Sequence, residues 1–159
     1  MKFTLCYLIR DGKYLMLHRT KKEVDVNKGK WIGVGGKLEE GETPAQGIVR
    51  EIKEETGYDA HDCIFRGVVV FKYNNNPPED MYLFTCQDFS GSQKICDEGD
   101  LAWVDIDKIE DLNIWDGDRI FHRLLREGKG LGEDKIYLTL DYKDDVLMSD
   151  KLEYRKDLI

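Results

Sequence analysis

A chain of 159 residues with 41% hydrophobic and 35% charged residues is long enough to bury a sizeable core and reads as one globular domain over 1–159. Its formal charge of −8 disfavours tracking a nucleic-acid polymer, although bound cations still admit a small phosphate substrate. No apolar run approaches a membrane span, and the start, MKFTLCYLIRDGK, lacks a separate basic region and reaches charge too soon for a signal peptide. Cys6, Cys63, Cys86 and Cys96 show no paired metal spacing. The first three lie in apolar, strand-like surroundings and are expected to be buried thiols in a reducing cytoplasm.

Taken in chain order, Phe3 to Ile9 predicts a strand, Asp11-Gly12 a turn, and Tyr14 to His18 the returning strand of a hairpin. His18 to Lys22 is a basic stretch, either facing substrate phosphates or forming a solvated rim. Asp25 to Lys30 is a polar loop. Trp31 to Gly36, WIGVGG, is glycine-dense, and Gly33, Gly35 and Gly36 permit close backbone approach. Lys37 is a candidate phosphate contact beside the plainer role of a surface lysine.

A helix follows. Thr43 reads as its N-cap, Gln46 completes a capping box, Pro44 sits at the first helical position and Gly57 suits a left-handed C-cap. Ala45, Ile48, Val49 and Ile52 predict an apolar stripe. Glu51 lies three residues from Glu54 and four from Glu55, so the three acids are expected to share a face. Such stacking repels by roughly a few tenths of a kcal/mol per pair. A divalent cation converts the repulsion into ligation, and hard oxygen ligands suit magnesium, with manganese as the alternative. Arg50 is placed to hold one carboxylate. Glu42 is either a fourth carboxylate near the metals or a favourable charge at the helix N-terminus. The plain alternative for the whole face is an acidic solvent surface.

Ile64 to Tyr73, with its run Gly67 to Phe71, predicts a central strand. Asn74 to Asp80 is a loop, Met81 to Asp88 a strand, and Ser90 to Gly99 turn-rich. Leu101 to Asp105 is a short strand, and Asp107 is expected to cap a helical turn. Asp118 to Glu127 fits an amphipathic helix with Ile120, Leu124 and Leu125 inward. Lys135 to Tyr142 and Val146 to Tyr154 form a final hairpin. No repeat or linker interrupts this order, which suits a mixed β-sheet flanked by helices, an α/β class.

The stretch GKLEEGETPAQGIVREIKEETGY, Gly36 to Tyr58, resembles the Nudix box. The pattern falls on Gly36, Glu42, Arg50, Glu51, Ile52, Glu54, Glu55, Gly57 and Tyr58, the last an aromatic in an apolar place. The resemblance implies the Nudix α/β/α sandwich. It also implies magnesium bound by Glu51, Glu54 and Glu55 with the Gly36 carbonyl, and attack by water on a nucleoside diphosphate linked to another group. Beyond the box the chain is similar to the MutT-like oxidised-purine nucleoside triphosphatases. Glu98 in CDEGDLAW matches a family glutamate that reaches the metal site from a loop. Trp115 and Asp118 in IWDGD match a tryptophan and an acid at the base pocket. Their plain readings are a loop acid, a core indole and a helix-start aspartate.

Two departures stand out. Ile32 replaces an asparagine used for base recognition in the human-type enzyme, and Gly117-Asp118 replaces paired aspartates. Ile32 offers no side-chain hydrogen bond. Phe71 and Tyr73 are candidates to flank a base, beside ordinary core packing. The resemblance implies conversion of a nucleoside triphosphate, 8-oxo-dGTP foremost, to a monophosphate and pyrophosphate. The alternatives are a broader triphosphate pyrophosphatase, a hydrolase of another nucleoside diphosphate derivative, and a non-catalytic nucleotide-binding module. Neither a nucleic-acid polymer nor a membrane is expected as partner, and a monomer is expected, with a homodimer as the alternative.

Overall fold

The computed structural model describes residues 1–159. In chain order the elements are β1 (Lys2–Arg10), β2 (Lys13–Arg19), β3 (Trp31–Ile32), β4 (Val34–Lys37), α1 (Pro44–Thr56), β5 (Asp59–Tyr73), β6 (Glu79–Ser90) and β7 (Gly99–Asp105). A 3-10 turn (Ile106–Asp111), α2 (Asp116–Arg126), β8 (Lys135–Lys143) and β9 (Val146–Arg155) complete the chain.

Period-two alternation sets the layers. On β1, Leu5 and Tyr7 enter one core and Cys6 and Leu8 the other. On β5, Val69 opposes Val68 and Val70; on β6, Met81 and Leu83 oppose Tyr82 and Phe84. Ile48 and Ile52 of α1 close one core, and Phe121, Leu124 and Leu125 of α2 close the other. The result is an α/β/α sandwich, as expected.

The sheet is mixed. β1 runs parallel to β6 and β5 parallel to β8, while the β5–β6 and β8–β9 pairs are antiparallel. β1 forks: Phe3 to Cys6 pair with β4, and Ile9 and Arg10 pair with β2. β2 carries β3 and β7 on its two edges. The segment expected only as a glycine-dense approach is therefore two short strands. Gly35 faces the Thr4 carbonyl so closely that a Cβ has no room, so this strand needs glycine there.

Several expectations shift. In α1, Ala45 and Val49 are exposed, and the buried line runs through Gly47, Ile48, Ile52, Glu55 and Thr56. Gly47 is inward because the Leu38 and Glu42 side chains pack on it. Asp107 lies inside the 3-10 turn, whose N-cap residue, Asp105, makes no side-chain cap bond. Helix α2 starts two residues early, at Asp116, and turns Phe121 and His122 inward, while Ile120 is only partly buried. Cys63 is partly exposed, whereas Cys96 is buried; all four cysteines are free.

Arg66 of β5 is buried and ties α2 to the sheet. Its Nε and Nη2 donate to the Lys129 carbonyl at 2.9 and 2.7 Å, Nη2 also reaches the Leu125 carbonyl at 3.2 Å, and Nη1 donates to Thr85 Oγ1 at 3.2 Å. The Leu125 carbonyl lies in the last turn of α2, where a cation also complements the helix dipole, and the Lys129 carbonyl lies in the turn that follows. Arg66→Ala leaves them unpaired beside a cavity. An urea titration is expected to show a loss of about 3 kcal/mol, well beyond a typical surface substitution.

Candidate active site

The entry to α1 is fixed by the capping box: Gln46 N donates to Thr43 Oγ1 at 3.2 Å, and Thr43 N donates to Gln46 Oε1 at 3.0 Å. Gly57, at φ 85°, closes the far end with its N–H on the Lys53 carbonyl. Between these caps the acids and Arg50 take fixed places.

Arg50 organises the acidic face. Its Nε and Nη2 hold Glu42 at 2.7 and 2.9 Å, Nη1 donates to Glu51 at 2.9 Å and Glu54 at 3.2 Å, and Nη2 reaches the Lys37 carbonyl at 3.2 Å. It thus holds three carboxylates where one was expected. Both Glu42 oxygens are engaged, Oε1 also accepting from the Glu39 amide. Arg50 draws the Glu42 pKa down to about 2. Glu42 therefore braces Arg50 at the edge of the acidic face. Lys37 is exposed, and only its carbonyl joins the cluster.

The three box acids do not share one face. At about 100° per residue, Glu54 and Glu55 fall on opposite sides of Glu51. Glu55 points inward and is 7% exposed, while the Glu54 side chain is 58% exposed. Glu51 packs flat on Gly36, where a Cβ would lie 2.7 Å from its Oε1. Glu55 accepts from the Gly35 amide at 3.2 Å. Burial, with the Glu98 and Glu51 charges added, pushes the Glu55 pKa up to about 9. Burial also raises Glu51, against the lowering by Arg50.

Glu98, in the loop before β7, lies near enough for its charge to act on Glu55 and Glu51. It is held by Arg19 at 3.0 Å and Lys22 at 2.9 Å. Arg19 also pairs with Asp25 at 2.8 Å, and Lys21 donates to the Cys96 carbonyl at 2.6 Å. The basic stretch is thus bound to protein acceptors. His18 stacks on Trp31, with ring centroids 4.3 Å apart.

As they stand, no three His, Cys, Asp or Glu side chains are grouped to hold a metal ion. The donor set still fits a hard divalent cation. Glu51, Glu54, Glu55 and Glu98 supply only oxygen, Gly36 packs against the Glu51 carboxylate with its carbonyl accepting from Thr4 Oγ1 at 3.3 Å, and Glu55 carries a proton where a cation would relieve the crowding of charge.

A second group lies on the α2 side of the sheet. Trp115 meets Tyr142 edge to face at 5.4 Å, and Phe71 stacks on Tyr142 at 6.5 Å. Trp115 Nε1 donates to Asn27 Oδ1 at 2.8 Å, and the Lys30 ammonium lies 4.8 Å from the indole centroid. Asp118 is buried, and burial pushes its pKa up to about 8, against Lys30 and Arg119. Tyr73 packs on the same core without joining the Trp115–Tyr142–Phe71 contacts. Ile32 sits in β3, and its neighbour Trp31 donates to the Asn113 carbonyl at 2.9 Å, joining that strand to the segment before α2. Sequence reasoning missed Tyr142, Asn27 and Lys30. The inward line Ile136, Leu138, Leu140, Tyr142 marks the first; nothing local marks Asn27 or Lys30.

Residues 3–125 match the family model described as NUDIX domain. The chain is 30% identical over 157 residues to an oxidized purine nucleoside triphosphate hydrolase of Danio rerio, spanning 98% of this chain and 96% of that protein. It is also 30% identical over 135 residues to an uncharacterized Nudix hydrolase, YvcI, of Bacillus subtilis, covering 82% of each. The crystal structure of a MutT protein from Bacillus halodurans matches with a TM-score of 0.83 over 96% of this chain and 97% of that one, at 23% identity, a likeness of fold. The chain belongs to the Nudix hydrolase family.

Proposed function

We propose that this enzyme hydrolyses oxidised purine nucleoside triphosphates, 8-oxo-dGTP foremost, to the monophosphate and pyrophosphate with magnesium, manganese being the alternative. The carrying observation is the oxygen-only acid cluster braced by Arg50, with Glu55 buried against Gly35. Glu51, Glu54, Glu55, Glu98 and the Gly36 carbonyl are its metal-holding groups, with Glu54 the essential one. A bound cation would neutralise the phosphates and lower the pKa of the attacking water. Arg50 keeps Glu51 and Glu54 oriented for that task. Trp115, Phe71 and Tyr73 would flank the base, and Asp118, neutral below about pH 8, can donate as well as accept toward a purine edge. The Danio rerio relative, named for oxidized purine triphosphates, supports the substrate class. A cytoplasmic location agrees with the four free thiols.

The test is kcat/KM for 8-oxo-dGTP, dGTP, the other triphosphates, ADP-ribose and dinucleoside polyphosphates with magnesium. The expected result is a preference of at least ~10-fold for 8-oxo-dGTP over dGTP, about 1.4 kcal/mol in transition-state discrimination. Equal rates would overturn oxidised-base selectivity and leave a broader pyrophosphatase. Tight binding without product at any metal concentration would leave a nucleotide-binding module.

A further inference from the structure

The Tyr142 hydroxyl stands at the N-terminus of α2. It accepts from the Gly117 amide at 2.7 Å, and this is its one hydrogen bond within the protein, so its own proton has no acceptor. Gly117 makes this seat: a Cβ there would lie 2.6 Å from the hydroxyl and 2.5 Å from Leu140 Cδ1. The next residue, Asp118, is 4% exposed and makes no side-chain hydrogen bond. Burial raises the Tyr142 phenol well above its ordinary value, and the Asp118 charge adds to the rise. Tyr142 therefore stays a proton donor at any working pH. Its ring is held by Trp115 and Phe71.

A phenol donor beside a carboxyl presents an adjacent donor–acceptor pair. Its complement is a lactam edge, a carbonyl oxygen next to a ring N–H. Guanine and hypoxanthine carry that edge at O6 and N1–H, and 8-oxopurines carry another at O8 and N7–H. Unmodified adenine presents the pair in reverse order, a ring-nitrogen acceptor beside its N6 amino donor, and so does not match a base held in the lactam orientation. We propose that Tyr142 is a specificity-determining residue that donates to the carbonyl of a purine lactam edge while Asp118 receives the neighbouring N–H. Gly117 is the positioning residue that makes room for it. The proposal rests on the nucleotide-hydrolase reading above and assigns part of its base selection to a strand, β8, far from the box in sequence.

Tyr142→Phe removes only the hydroxyl, and Gly117→Ala displaces it from the other side. Both variants, their combination and the unmodified enzyme are compared on dGTP, dITP, 8-oxo-dGTP and dATP. Tyr142→Phe is expected to lower kcat/KM about tenfold for the three lactam-edged substrates, mainly through KM, and to leave dATP within about twofold. Gly117→Ala shifts the same ratio, and the double variant falls short of the product of the singles, as a shared contact requires. Calorimetric Kd values for dGMP and dAMP give the same ratio without metal or turnover. An equal loss on all four substrates would reduce Tyr142 to a cap on α2 and overturn the proposal, as would an unchanged dGMP-to-dAMP ratio. The 8-oxo-dGTP-to-dGTP ratio of the unmodified enzyme tests the oxidised-base reading separately, because both of those substrates carry a lactam edge.

Discussion

Glu54→Gln is expected to cut magnesium-dependent turnover by about two to three orders of magnitude and leave the protein folded. The carboxylate side chain is 58% exposed and has one protein partner, Arg50 Nη1 at 3.2 Å, in an i,i+4 pair. Such exposed pairs contribute roughly 0.3–0.5 kcal/mol, so the fold tolerates the loss. Its charge has a larger task in the proposed chemistry. Of the three box acids it alone projects outward, so it meets an incoming cation–phosphate complex without first being uncovered. Glutamine keeps the shape and removes the negative ligand. Losing one group that stabilises charge at the reacting centre costs about 10²–10³ in rate. Single-turnover rates with magnesium, beside thermal unfolding of the same samples, measure both halves. Turnover within about threefold of the unmodified enzyme would remove Glu54 from the essential role and leave the buried Glu55 to carry it.

What could be read from the sequence was local or carried by resemblance. The capping box of Thr43 and Gln46, Pro44 and the Gly57 C-cap are set within a few residues, and all hold. The order of layers follows from alternation and also holds. The direction of each box acid did not follow. Helical spacing separates Glu54 from Glu55, but which one faces the core depends on where β4 and the loop through Leu38 and Glu42 press on the helix. Gly47, not Val49, is the residue that lets them approach. Glu98 was legible only through the resemblance, since loop acids carry no periodic signal. Tyr142 was hidden for a related reason. It looks like the last inward residue of a strand until β8 is laid against the start of α2, and then its hydroxyl meets the Gly117 amide. Strands β3 and β4, two and four residues long, were too short for any period to show.

Magnesium affinity is expected to climb about a hundredfold between pH 6.5 and 8.5, because Glu55 must lose a proton to become a ligand. In the metal-free protein it titrates at about 9, raised by burial and then by Glu98 and Glu51. One proton displaced per cation gives about a tenfold rise per pH unit, flattening above about pH 9. Calorimetry in two buffers of different ionisation heat counts that proton directly, and a flat affinity across the interval would refute the linkage. Stability runs the opposite way. Between the ordinary value of 4.5 and about 9, folded Glu55 keeps a proton that the unfolded chain has released. Its stabilising contribution is full below that window and declines as pH rises through it. Metal-free Tm should therefore fall with rising pH, and saturating magnesium should raise Tm most at the alkaline end. Asp118, shifted from 3.8 to about 8, adds a parallel decline that magnesium does not remove. Glu55→Gln separates the two: the metal-free variant should lose the slope between about pH 8 and 9 and keep only the Asp118 share, about half, below pH 8. An unchanged slope in that variant would mean that Glu55 is already ionised in the metal-free protein.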